Sequence, residues 1–140
     1  MSRRSARENA FRLVYEYAET EERNDFTKSI LCAGAAPEDV AYTERLYDGV
    51  LVHYAYLQEI IARYSVGFAL DRLYKTDLAV LLIAVYEILW CGDVPEKVSV
   101  NEAVELCKIY STDKSPSFVN GVLASVIANK EALIDGCADY

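Results

Sequence analysis

Residues 78–91 read LAVLLIAVYEILWC, and the fold turns on how that stretch is taken. It is apolar on every side of a helical wheel, the pattern of a helix buried in a protein core. It falls short of the roughly 20 apolar residues needed to cross a bilayer, and Glu87 interrupts it. The spacing predicts a central helix from about Asp77 to Trp90, ended at Cys91-Gly92-Asp93, where Gly92 supplies a natural C-terminal stop.

Helical spacing continues on both sides. Pro95 suits the first turn of a following helix that carries Val98, Val100, Ala103, Val104, Leu106 and Cys107. The turn STDKSPS (111–117) leads into a last helix, with Ser115–Pro116 as cap and first turn and SFVNGVLASVIA (117–128) as its apolar body. A glycine inside such a helix costs about 1 kcal/mol relative to alanine. Gly121 is therefore expected where two helices touch, with Asn120 hydrogen-bonded inside the core. Upstream, Pro37 opens one long helical pattern through Val40, Leu46, Val50, Leu51, Tyr54, Leu57 and Ile61, until Gly67 interrupts it. A soft subdomain boundary is placed at 67–70. Residues 20–36 are mixed and offer only a short helix after Asn24, and DGCADY (135–140) reads as a loose end. No segment alternates as strands do. The expectation is one all-α domain over 1–140, a bundle of six or seven helices in two packed subdomains.

At the front, SARENAFRLVYEYAE (5–19) sets Ala6, Ala10, Leu13, Val14 and Tyr17 on one side of a helix. Ser5 with Glu8 matches a capping box, which would leave Arg3 and Arg4 as a short arm beside the helix N-terminus, an end that attracts anions. Arg4, Glu8, Arg12 and Tyr15 share a stripe with Arg7 on its flank. The chain has a formal charge of −8, yet residues 1–12 hold four of its 14 basic residues and one of its 22 acids. Such asymmetry points to an anionic partner touching one end, or to arginines that merely solubilise a terminus. Arginine grips phosphate bidentately and an exposed tyrosine offers a base a stacking platform. On these residues alone, an RNA surface and an Arg–Glu laced solvent face stand level.

Other chemistry finds little support. One histidine, His53, in a helical pattern, and four scattered cysteines give no metal-ligand spacing. The six glycines form no phosphate loop. Glu102 and Glu105 read as a solvated helix face, and Asn101–Glu102 as a polar tie from a helix start to its neighbour. No catalytic residue, metal or cofactor is expected. Free cysteines in apolar surroundings and the lack of an apolar stretch behind the N-terminal charges suit a reducing cytoplasm rather than secretion.

Three stretches narrow the choice. RRSARENAFRLVYEY (3–17), VPEKVSVNEAVELCKIYS (94–111) and SFVNGVL (117–123), in that order, resemble the NusB family of bacterial antitermination factors, and TDLAVLLIAVYEIL (76–89) resembles its central helix. The resemblance covers nearly the whole chain apart from 20–36 and the tail after about 129. It implies an all-α fold in two subdomains and binding of single-stranded boxA-like RNA from ribosomal-RNA transcripts. It also implies NusE, a small-subunit ribosomal protein, as partner within an RNA polymerase antitermination complex, with no membrane association and no enzymatic activity. A homodimer is compatible with it. By position it marks Arg3, Arg4, Arg7, Tyr15, Asp77, Tyr110 and Lys114 as RNA-facing. Leu82 and Ser117 stand where the family often has arginine and lysine, and Ser5 interrupts the basic run, which implies a weakened basic surface. A helical protein–protein adaptor of the same fold with little RNA affinity is the alternative.

Overall fold

The computed structural model describes residues 3–137. Among them are eight α-helices and one 3₁₀ turn, with no strand: α1 (Arg3–Thr20), α2 (Asp25–Leu31), α3 (Pro37–Val52), α4 (Tyr54–Tyr64), the 3₁₀ turn Leu70–Arg72, α5 (Lys75–Trp90), α6 (Glu96–Tyr110), α7 (Ser115–Ala128) and α8 (Lys130–Gly136). The all-α expectation holds. The helix count rises because the long pattern after Pro37 bends at His53, which closes α3 and opens α4, and because 130–136 forms a further helix that takes in Asp135 and Gly136 of the expected loose end. Residues 138–140 of that expected loose end lie outside the described residues.

α5 is the axle. Residues 77–85 are buried without a break, followed by Glu87, Ile88 and Leu89, because α1, α3, α4, α6, α7 and α8 all pack against this one helix. That explains why its sequence shows no polar face. The bend at His53 keeps its backbone hydrogen bonds, from His53 N–H to Gly49 and from Leu57 N–H to His53. The imidazole there stacks on Trp90 at 4.1 Å between centroids and 9° between planes. α2 is capped by the Asn24 side chain, which accepts from the Thr27 N–H at 2.9 Å. α8 is held by the Tyr56 hydroxyl, which donates to the Leu133 carbonyl at 2.5 Å.

Three expectations about the ends and glycines are corrected. Arg3 and Arg4 belong to α1 itself, so Ser5 lies inside the helix and does not cap it, and there is no basic arm. Asn120 and Gly121 are exposed on α7, and a Cβ on Gly121 would meet nothing within 4 Å. The glycine that packing demands is Gly49, where an added Cβ would run into the Tyr86 ring between α3 and α5.

Candidate nucleic-acid interface

α1 carries its arginines over about half its circumference, and the neighbouring helices give each a different fate. Arg7 points inward. It is 5% exposed, and its Nε donates to both carboxylate oxygens of Glu87 on α5, at 2.9 and 3.1 Å. The Tyr42 hydroxyl on α3 donates to the same carboxylate, and burial together with that contact pushes the Tyr42 phenol upward. This cluster pins α1, α3 and α5 together, so Arg7 is a core residue here and not a surface contact. Arg3 lies over the Tyr42 ring at 4.3 Å and is half-exposed.

Arg4 and Arg12 point outward as well. The Arg4 Nε and Nη2 grip Glu102 of α6 at 3.0 and 2.8 Å while the side chain stays 70% exposed. The Arg12 Nη2 donates to the Tyr110 hydroxyl at 2.9 Å and sits 3.4 Å from Glu8. Tyr110 in turn packs against Phe11 at 4.9 Å between centroids, the rings tilted by 35°, and Tyr15 stands exposed one turn further along. Glu102 is not the solvated acid its spacing suggested. It is mostly buried between Arg4 and Arg7 (Nη1 at 3.6 Å), and Arg4's hydrogen bonds hold its carboxyl below the ordinary glutamate value.

Beyond Tyr110 the surface runs onto the α6–α7 turn. Asp77, at the start of α5, is 3% exposed and accepts from the Ser111 and Ser115 hydroxyls at 2.5 and 3.0 Å. It therefore fixes the turn, which presents exposed Lys114. Next to it opens a cleft of about 580 Å³ whose walls include Phe68, Arg72, Tyr74, Lys114 and Phe118, with Asp77 at its inner side and Asp113 on the turn. Aromatic rings beside cations suit nucleobases and phosphates.

Of the seven residues expected to face RNA, Arg3, Arg4, Tyr15 and Lys114 lie exposed, and Tyr110 lies partly exposed. Arg7 and Asp77 are buried. Leu82 is fully buried, so a leucine there subtracts nothing from the surface, whereas Ser117 is exposed. Arg72, Tyr74 and Phe68 were missed because FALDRLYKTD (68–77) has no period to read, and Phe118 because it looks like one more core residue. Among the described residues no three His, Cys, Asp or Glu side chains converge on a metal-sized site, and no helix is long and apolar enough to cross a membrane.

Comparison with known proteins adds a consistent set of likenesses. The model of the NusB family matches residues 4–128. A "Transcription antitermination protein NusB" of Ruminiclostridium cellulolyticum is 41% identical over 128 residues, covering 90% of this chain and 88% of that one. In structure, NusB of T. maritima superposes with a TM-score of 0.84 at 26% identity, over 96% of this chain and 98% of that one. A chain from a complex of antitermination factors NusB and NusE with double-stranded RNA gives a TM-score of 0.81 at 23% identity, over 90% and 96%, which speaks to the fold.

Proposed function

This chain belongs to the NusB family, and from that premise we propose that it is a transcription antitermination protein that binds boxA-type RNA of ribosomal-RNA transcripts together with NusE. The observation that carries this reading is the 41% identity to a protein of that name along nine-tenths of the chain. Arg4, Arg12 and Lys114 are the phosphate contacts, helped by Arg3. Tyr15 and Tyr110 are the aromatic contacts, with the cleft beside Lys114 continuing the path. Arg7 and Asp77 hold this surface in place from behind. The protein acts in the cytoplasm as a binding factor without catalysis, and its helices form one domain with a soft boundary near 67–70.

Lone RNA binding should be weak. Arg4 and Arg12 each already face an acid, and the body of the chain is acidic, so an approaching strand meets compensated charge. A basic ribosomal protein on the acidic body would relieve that field and add contacts of its own. Fluorescence anisotropy of a labelled boxA-like strand, against a scrambled control and with or without saturating NusE, is the test. NusE should raise affinity about tenfold or more, a coupling near 1.4 kcal/mol, and RNA must tighten NusE binding equally. Binding of NusE with no RNA affinity in either arm would replace this reading with the adaptor.

A further inference from the structure

The polar groups joining α1 to its neighbours form a chain of alternating charge that runs from the core to the surface. Glu87, 1% exposed, holds Arg7; Arg7 faces Glu102 with Nη1 at 3.6 Å; and Glu102 holds Arg4, whose side chain is 70% exposed. The way Glu102 holds Arg4 is specific. A guanidinium has two edges that can each pair with an oxyanion: the side edge, Nε with Nη2, and the end edge, Nη1 with Nη2. Glu102 takes the side edge at 3.0 and 2.8 Å. The end edge makes no hydrogen bond or ion pair among the described residues; Glu105, further along α6, acts on Arg4 only through its charge. An exposed arginine normally loses rotamer freedom when it binds, and that ordering weakens the contact. Here the loss is already met in the free protein by a carboxylate that is itself fixed from behind.

We propose that Glu102 is a positioning residue for RNA: by holding the side edge of Arg4, it aims the open end edge at a phosphate. This rests on the proposed RNA-binding function and adds a role for an acid within the basic surface. Its consequence runs against simple electrostatics. Deleting a negative charge from a phosphate-binding face should strengthen binding if charge alone matters. Positioning requires the opposite.

The test is a double-mutant cycle read by anisotropy with a labelled boxA-like strand in the presence of NusE, using full-length protein. Glu102→Ala should weaken RNA binding about fivefold, a coupling ordinary for groups in direct contact. Glu102→Gln should fall between wild type and Glu102→Ala, because its carbonyl oxygen still accepts one of the two hydrogen bonds. In an Arg4→Ala background, Glu102→Ala should no longer weaken binding, which a general loss of structure would not produce. Thermal melts of every variant identify any that unfolds; if Glu102→Ala does so, Glu102→Gln and its pairing with Arg4→Ala carry the cycle alone. Affinity that stays level or rises in both Glu102 variants overturns the positioning role while leaving the RNA-binding function intact. A wild-type protein that ignores the strand with and without NusE overturns the function and this role with it.

Discussion

Arg7→Ala should cost this protein a large part of its stability, although a helical wheel places Arg7 beside exposed arginines. The side chain of Arg7 is 6% exposed and that of Glu87 1%. Two contacts at 2.9 and 3.1 Å join them, and the remaining donor to the carboxylate is the Tyr42 hydroxyl. Truncating Arg7 leaves a carboxylate in the core with one hydrogen bond and no counter-charge. Breaking a buried pair on one side costs about 3–5 kcal/mol. Whole domains are stable by about 5–15 kcal/mol, so about a fifth or more of the total is at stake. At about 4 °C per kcal/mol for a chain of this size, the melting midpoint should fall by roughly 12–20 °C. Urea titration followed by far-UV circular dichroism measures this directly, with an unchanged slope showing that the change lies in stability rather than in the surface exposed on unfolding. Two comparisons sharpen it. Arg4→Ala, on the exposed side of the same helix, should melt close to wild type. Arg7→Met combined with Glu87→Leu should recover most of the loss, since apolar replacements of similar volume often match a buried pair. A urea midpoint for Arg7→Ala equal to wild type would refute the reasoning, because it would mean the pair is solvated.

Further outcomes follow from other parts of the fold. Gly49→Ala should lower stability by about 1–3 kcal/mol through the clash with Tyr86, while Gly121→Ala should raise it by up to about 1 kcal/mol, because α7 is open there; denaturant midpoints decide both. Burial holds His53 below its ordinary value, so the unfolded chain binds the proton more readily. Its share of stability is therefore complete above about pH 6.5 and declines as pH falls below that. Melts between pH 7.5 and 5.5 (roughly the histidine range) should show this decline in wild type and not in His53→Gln. Burial pushes the thiols of Cys91 and Cys107 up to about 11 and about 12. Both should resist iodoacetamide near pH 8, below those values and close to a free thiol's own, and react once urea unfolds the chain, as peptide mass spectrometry would show.

The sequence by itself determined the kind of protein this is. The apolar stretch at 78–91 could only be satisfied by burial on all sides, which made α5 the axle. Helical spacing elsewhere required helices that pack on it, and Asn24 marked the start of α2. Periodicity reads these features because they depend on which residues lie three and four apart. Tertiary structure alone decided the roles at the margins. Arg4 and Arg7 lie three apart on one helix, and nothing local says that one meets solvent and the other meets Glu87, 80 residues away in sequence. Glu102 looked like any acid on a polar face until α1 packed over it. Gly121 sits in an apolar pattern yet faces solvent, while Gly49, in a less telling context, is where two helices close on an aromatic ring. Leu82 looked like a missing arginine and is a core leucine. In each case the deciding contact comes from another helix. A charge or a missing side chain at the edge of an amphipathic face is buried or exposed according to where that neighbour lands, which is a property of the packed assembly and not of the spacing along one chain segment.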